Sequence, residues 1–249
     1  MRKSSLIFLF TLTVIITVWY VFVKLKIFSP LLLPSPLAVI LSIVELLNDK
    51  ILIDILATLY RMFIGLFIGV ISGLFIGMMM GIFDCIAKSL KFWIDFLRSL
   101  PVTALIPLFL LFFGIGETTK IALVAYLTTL IIVIHTIAGI HQANGIRKLA
   151  ARSIEPNRVL IFLKVILPDA LPLISTGIKL ALSFSLIIVI VSEMMISASF
   201  GLGGKIIDYQ LVYRTADMYA VIILTGLLGY LINALYLALE KRIIHWTGK

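Results

Sequence analysis

Long apolar stretches separated by short polar segments dominate this sequence. Six of them approach the roughly 20 residues that an α-helix needs to cross the hydrocarbon core of a bilayer. Because a helix satisfies its backbone hydrogen bonds internally, this pattern predicts an all-α fold, a polytopic membrane helical bundle with about six transmembrane helices. The stretches are Leu6–Val23, Ile55–Ile82, Leu100–Gly114, Ile121–Ile140, Leu171–Glu193 and Met218–Leu239.

The third stretch departs from this simple pattern. It is short unless it begins within Phe92–Leu97, and it contains Pro101 and Pro107. Proline removes a helical hydrogen bond, so a kinked or broken helix is predicted here. We expect one transmembrane domain over residues 1–249, with the first span at 6–23 and the core at 55–239.

Glycines recur at every fourth position of the second stretch. Small residues at this spacing form one face of a helix and allow another helix to approach closely within a membrane. The stripe therefore predicts a tight helix–helix contact and carries no functional information by itself. Its members are Gly65, Gly69, Gly73, Gly77 and Gly81.

The fifth stretch carries a polar stripe on one helical face. Ionisable groups within a span are costly and usually face a cavity or a partner. Lys179 and Glu193 are too far apart to pair within the helix, about 21 Å, so we expect each to snorkel near one interface. The stripe predicts either part of a translocation path or interhelical contacts. It comprises Ser175, Thr176, Lys179, Ser183 and Glu193.

Composition supports a membrane location. Apolar residues make up 62% of the 249 positions and charged residues 13%, whereas a soluble domain is about half apolar and a quarter charged. The net charge is +9, but the basic residues lie mostly between the apolar stretches. The basic patch that nucleic-acid binding requires is missing, so we expect no nucleic-acid partner.

Basic residues also predict the orientation. If the N-terminus is cytoplasmic, thirteen of the 21 Lys and Arg fall on the cytoplasmic side and six on the outside. This bias predicts a cell (inner) membrane protein with both termini inside. The first stretch is about 18 residues long, and Lys24 follows it in place of a cleavage site, which favours a retained span over a signal peptide.

Catalytic and metal-binding patterns are missing from the sequence. Cys85 is the single cysteine, and His135, His141 and His245 lack chelating spacing. We see no Ser/His/Asp set, no paired carboxylates and no glycine-rich phosphate loop. We therefore expect no enzymatic activity, no metal and no cofactor in this chain.

The connection at 141–168 is long, basic and predicted to be cytoplasmic. It is predicted to hold two short helices, at 146–153 and 157–166, separated by Glu155 and Pro156. From the residues alone, two interpretations remain open. The connection either docks a cytoplasmic partner or caps the helical bundle.

A resemblance to a known family favours docking. Ala150-Ala151 and, at the right spacing, Val165-Ile166-Leu167-Pro168 resemble the Glu-Ala-Ala loop of ABC-importer permeases. Other segments resemble the nitrate, sulfonate and taurine branch of that family. They are Leu33-Pro34-Ser35-Pro36, Arg98-Ser99-Leu100-Pro101, Ile106-Pro107-Leu108-Phe109, Phe113-Gly114-Ile115-Gly116, Ser192-Glu193-Met194 and Gly201-Leu202-Gly203.

The resemblance implies a type I ABC-importer permease architecture and a set of partners. These are a second permease copy in a homodimer, a pair of cytoplasmic ATP-binding subunits and an extracytoplasmic substrate-binding protein. Solute would cross by alternating access. The implied ATPase-docking residues are Leu149, Ala150, Ala151, Arg152, Ser153, Glu155, Pro156 and Arg158.

Two positions depart from the family pattern, because Leu149 and Glu155 stand where it has glutamate and glycine. The branch transports small anions and some vitamin precursors, and the sequence does not select among them. A stand-alone, ion-coupled secondary transporter is the alternative. It would need coupling acids near the membrane midplane and a structural repeat, whereas the acids here cluster at span ends.

Overall fold

Helices form almost all of the described chain. The computed structural model describes residues 2–29, 31–48, 51–143, 145, 147, 157–196 and 200–243. The α-helices are α1 (Arg2–Lys24), α2 (Pro36–Asn48), α3 (Ile51–Ile82), α4 (Asp84–Ser99), α5 (Ile106–Phe113), α6 (Glu117–Gln142), α7 (Arg158–Ile161), α8 (Leu167–Met195), α9 (Leu202–Leu211) and α10 (Thr215–Ile243).

Four helical segments within the described residues are long and apolar enough to cross a membrane. They are Ile51–Ile82, Glu117–Gln142, Phe162–Met195 and Thr215–Arg242. A fifth span is obtained if α4 and the segment containing α5 count as one broken helix. The described apolar part of α1, Leu9–Lys24, is shorter than the roughly 20 residues a span needs. The structure thus describes four or five spans against about six expected.

The predicted break in the third span is confirmed. α4 ends at Ser99, a 3₁₀ turn covers Val102–Leu105, and the helices on either side are bent by 93°. Leu100 has extended backbone, with ψ of 127°, because the proline that follows disfavours helical geometry there. Pro107 lies in the first turn of α5, where its missing amide hydrogen leaves no helical bond unmade.

The fifth span begins earlier than the sequence pattern predicted. A π-helical turn over Phe162–Ile166 leads directly into α8 at Leu167. Pro168 falls in the first turn of α8, whereas Pro172 lies inside the helix. The second short helix predicted for the cytoplasmic connection is therefore continuous with this span.

Contacts divide the chain into two units. The first combines Met1–Ala57 with Ser199–Leu227. Within it, the Trp19 indole donates to the Pro34 carbonyl oxygen at 3.1 Å and lies against the Tyr219 ring. Buried Ser42 donates to the Asp217 carboxylate.

The second unit combines Thr58–Ala198 with Leu228–Lys249 and contains most of the spanning helices. Its centre is formed by α6 and α8, which contribute many fully buried apolar side chains. Those side chains are Leu123, Val124, Ile132, Val133, Ala170, Ala181 and Val189. The prediction of one transmembrane domain stays a prediction.

Candidate functional site

The glycine stripe of α3 lies directly against α6. A β-carbon placed on Gly73 would lie 2.7 Å from Ile132 Cβ and 2.8 Å from the Thr129 carbonyl oxygen. The other four glycines of the stripe meet side chains of α6 at similarly short range. The backbones of these helices therefore approach more closely than any side chain larger than hydrogen permits.

Hydroxyl groups extend this contact to a third helix. Ser72 and Thr129 share a hydrogen bond of 2.7 Å between α3 and α6. Thr128 and the buried Ser185 share one of 3.1 Å between α6 and α8. These hydroxyls hydrogen-bond within the bundle, as polar side chains do where water is excluded.

A charge network lies near one end of the same three helices. Arg61 of α3 and Glu193 of α8 are 4% and 1% exposed. The Arg61 Nη1 atom donates to Glu193 Oε1 at 2.5 Å. The hydroxyl of Thr58 lies 3.0 Å from both carboxylate oxygens of Glu193.

The α6 helix supplies the rest of the network. Glu117 binds Arg61 through two nitrogens, with 2.8 Å between Nη2 and Oε1. Lys120, 1% exposed, places its ammonium 3.6 Å from the Glu117 carboxylate. Two cations thus face two carboxylates, and the charges balance. Because removing one partner from a buried ion pair is strongly destabilising, the network fixes how α3, α6 and α8 align.

The sequence pattern missed this network although one signal was present. Arg61 interrupts the second apolar stretch, and an arginine within a span normally has a specific partner. Glu117 and Lys120 precede the fourth stretch, where the sequence pattern predicts the exposed start of a helix. Only the tertiary structure places them beside Arg61.

The carboxylate of Glu193 is enclosed by Arg61 and Thr58, so it makes an interhelical contact, one of the two roles predicted for the stripe. The expectation that Glu193 snorkels is wrong. Elsewhere on the predicted stripe, Ser175 hydrogen-bonds the Tyr236 hydroxyl at 2.8 Å, and Ser183 donates to Asn233 at 3.2 Å.

The remaining stripe residues do not join this set. Thr176 is exposed and donates to the Pro172 carbonyl oxygen of its own helix, and Lys179 is half-buried. Ser175 and Ser183 thus contact α10, and Glu193 contacts α3. The other two stripe residues remain solvent-accessible. That the stripe lines part of a translocation path stays a prediction.

Most of the predicted docking residues lie outside the described residues. These are Leu149, Ala150, Ala151, Arg152, Ser153, Glu155 and Pro156. Arg158 begins α7, but only its backbone is described. One contact near the connection is visible, an ion pair between Arg147 and Asp169 in the first turn of α8. In the described part of the chain, no three His, Cys, Asp or Glu side chains are placed to hold a metal.

This arrangement defines a class of protein, a multi-pass helical membrane component with a tightly packed central bundle. Residues 65–245 match the family of binding-protein-dependent transport system inner membrane components. The chain belongs to this family, and it is the membrane-spanning permease subunit of an ABC importer. The family resemblance predicted from its motifs is confirmed.

Curated relatives and a solved structure agree with this assignment. The chain is 30% identical to the taurine transport system permease protein of Escherichia coli (strain K12), over 96% of this chain and 89% of that protein. It is 37% identical to the putative aliphatic sulfonates transport permease protein of the same organism, over 94% and 89%.

The solved structure is an inward-facing MetNI methionine ABC transporter. One of its chains superposes with a TM-score of 0.66 at 21% identity, covering 82% of this chain and 99% of that chain. At this level of identity the likeness concerns the fold. The predicted type I permease architecture is confirmed.

Proposed function

We propose that this chain forms the transmembrane pathway of an importer for small organic sulfonates. The observation that carries the proposal is its similarity over nearly its whole length to permeases for taurine and aliphatic sulfonates. The importer contains two copies of this chain, two cytoplasmic ATP-hydrolysing subunits and an external substrate-binding protein. ATP is hydrolysed in those partner subunits, because this sequence has no phosphate-binding loop.

The second unit is suited to move as a rigid body and so to transmit movement driven by ATP. The α3, α6 and α8 helices are joined by glycine contacts, hydroxyl bonds and buried ion pairs. A group of helices linked in this way moves as one body when a partner pulls on its cytoplasmic end. We assign that end to residues 141–168, with Leu149 to Pro156 and Arg158 as the contact with the ATPase.

Reconstitution tests the transport function directly. The chain, an ATPase subunit and a binding protein are placed in liposomes, and uptake of radiolabelled taurine is measured. We expect uptake that requires both ATP and the binding protein, with unlabelled aliphatic sulfonate competing more strongly than nitrate. Uptake driven by a proton or sodium gradient without ATP would instead indicate a secondary transporter.

Ala151→Asp is expected to abolish ATPase binding and the ATP hydrolysis that substrate and binding protein stimulate. A charge placed on a small apolar contact residue would be desolvated without a partner. Co-purification in mild detergent and ATPase assays measure both effects. The matched control is Ala151→Ser, which changes the same position without adding a charge and is expected to retain ATPase binding and stimulated hydrolysis. Normal ATPase binding and stimulated hydrolysis in Ala151→Asp would show that this loop does not couple ATP hydrolysis to transport.

The orientation is tested with reporter fusions. The charge bias predicts that a reporter fused after Lys249 is cytoplasmic and that one within Gly201–Arg214 is external. Alkaline phosphatase is active only outside, and green fluorescent protein fluoresces only inside, so the pair gives complementary readings. The reverse pattern at both sites would contradict the predicted topology.

A further inference from the structure

The α4 helix carries a charged face that the ion-pair network does not use. Its members follow one another at intervals of four, three, four and three residues, so they form one stripe along the helix. All are exposed except Asp95, which is half-buried and pairs with Arg98 at 2.9 Å. The stripe comprises Asp84, Lys88, Lys91, Asp95 and Arg98.

An apolar stripe with the same spacing occupies the opposite face. It comprises Ile86, Leu90, Trp93 and Leu97. Trp93 follows Lys91 by two residues and therefore points about 200° away from it. The helix is thus amphipathic, and none of its residues is fully buried in the described structure.

The contacts of α6 determine the depth of α4. The glycine contacts show that α3 and α6 run parallel, since Gly65 meets Val124 and Gly81 meets Ile140. α4 begins two residues after α3 ends, so its first turn lies near the Ile140 end of α6.

The other end of α4 is held further along α6. The Tyr126 hydroxyl donates to the Leu97 carbonyl oxygen at 2.9 Å. Tyr126 precedes Ile140 by fourteen residues, about 21 Å along the helix, and Asp84 precedes Leu97 by about 20 Å. α4 therefore runs in the direction opposite to α6, from the level of Ile140 towards the level of Tyr126.

Most of the charged stripe therefore lies at membrane depth. α6 is a span of 26 residues, about 39 Å long, whereas the hydrocarbon core is about 30 Å thick. Tyr126 lies about 14 Å from the first residue of α6, which is inside the hydrocarbon region. Along α6, Lys88, Lys91, Asp95 and Arg98 fall between this level and the end of the helix at Gln142. The predicted orientation does not depend on these three cations, because without them ten Lys and Arg on the cytoplasmic side still stand against six outside.

Charged side chains at this depth face water or protein partners, because lipid contact is unfavourable. We propose that the charged face of α4 lines the water-filled translocation path and that Lys88, Lys91 and Arg98 bind the substrate anion as it passes. Three cations stand against two carboxylates along the stripe, which leaves an excess positive charge suited to a sulfonate group. This inference rests on the proposed function.

Three of the five residues in the polar stripe of α8 are occupied by packing, because Ser175, Ser183 and Glu193 are engaged by neighbouring helices. The stripe carries a single accessible cation, Lys179. The α4 face, in contrast, is open along its length and has the sign of charge that an anion requires. The path is therefore placed on α4, and the α8 stripe holds the bundle together.

Cysteine labelling tests the position of this face. In a Cys85→Ser background, Lys91→Cys and Trp93→Cys are compared in the full transporter complex in lipid nanodiscs. A methanethiosulfonate reagent carrying a sulfonate is expected to modify Lys91→Cys and to leave Trp93→Cys unmodified. A lipophilic maleimide is expected to modify Trp93→Cys. Equal labelling of both variants, or an unreactive Lys91→Cys, would overturn the assignment.

Transport kinetics test the binding role. We expect Lys91→Gln to lower the rate of sulfonate uptake at subsaturating substrate about tenfold, the factor for one lost charge-assisted contact. Lys91→Arg is expected to retain most of the rate, and the exposed Lys241→Gln is the matched control. Co-purification of the ATPase confirms that each variant assembles. Full uptake by Lys91→Gln would overturn the binding role.

The two proposals fail in distinguishable ways. If the parent complex imports no sulfonate, the proposed substrate is wrong, and the labelling pattern still decides whether α4 faces water. If the parent complex imports sulfonate and Lys91→Cys is unreactive, the transport function stands and the α4 path is wrong.

Discussion

Replacing Arg61 with leucine is expected to destabilise the protein by about 3–5 kcal/mol, the usual cost of removing one partner from a buried ion pair. The change removes the cation that binds Glu193, which is 1% exposed, and it leaves the two carboxylates of the network with the single charge of Lys120. Thermal unfolding of detergent-solubilised protein, followed by fluorescence-detected size exclusion, measures the loss. Yield of monodisperse protein is expected to fall with it.

Two further variants separate charge pairing from general damage. Arg242→Leu makes the same chemical change at an exposed position in the last turn of α10, and it should unfold close to the parent temperature. Combining Arg61→Leu with Glu193→Leu restores the charge balance of the network, because Glu117 and Lys120 remain, so the double variant should be more stable than Arg61→Leu alone. Parent-like stability of Arg61→Leu would show that the network does not hold these helices.

Gly73→Leu is expected to separate α3 from α6 and to remove most folded protein from membrane extracts. Its first side-chain carbon alone would lie 2.7 Å from Ile132 Cβ and 2.8 Å from a backbone oxygen. Overpacking of a tight contact typically costs about 1–3 kcal/mol, and here the obstacle includes backbone that cannot rotate away. Gly73→Ala should give an intermediate loss.

The matched control is another glycine of an apolar helix. A β-carbon on Gly226 in α10 would have nothing within 4 Å, so Gly226→Leu should leave extraction and unfolding temperature unchanged. Equal behaviour of the two leucine variants would contradict a close α3–α6 contact at Gly73. Both proteins are compared in the same detergent and at the same expression level.

Several features could be predicted from local sequence because their causes are local. Long apolar stretches determine membrane-spanning helices wherever backbone hydrogen bonds cannot be made to water. Pro101 disfavours helical geometry at Leu100, so the break between α4 and α5 was predictable from the residues that form it. The family was identified separately, by the resemblance of the motifs around residues 98–116 and 150–168 to those of ABC-importer permeases.

The partners of the charged groups could be identified only from the tertiary structure. Nothing in the sequence places Arg61 beside Glu193, which is 132 residues away, because helix packing and not periodicity brings them together. The sequence alone therefore predicts that Glu193 snorkels, although its carboxylate is enclosed by protein. Periodicity likewise predicts the charged face of α4, but it does not predict how deep in the membrane that helix lies.

The lengths of the apolar stretches were enough to predict a membrane bundle, and the spacing of five glycines was enough to predict a close helix contact, while the family came from the resemblance of its motifs. Which polar residues serve packing and which remain open became clear from the folded bundle alone. The difference depends on what each side chain meets on neighbouring helices. Ser175 meets Tyr236 and is satisfied, whereas Lys91 stays exposed beside the bundle. Whether a side chain is buried depends on the helices packed around it, so burial cannot be predicted from one helix alone.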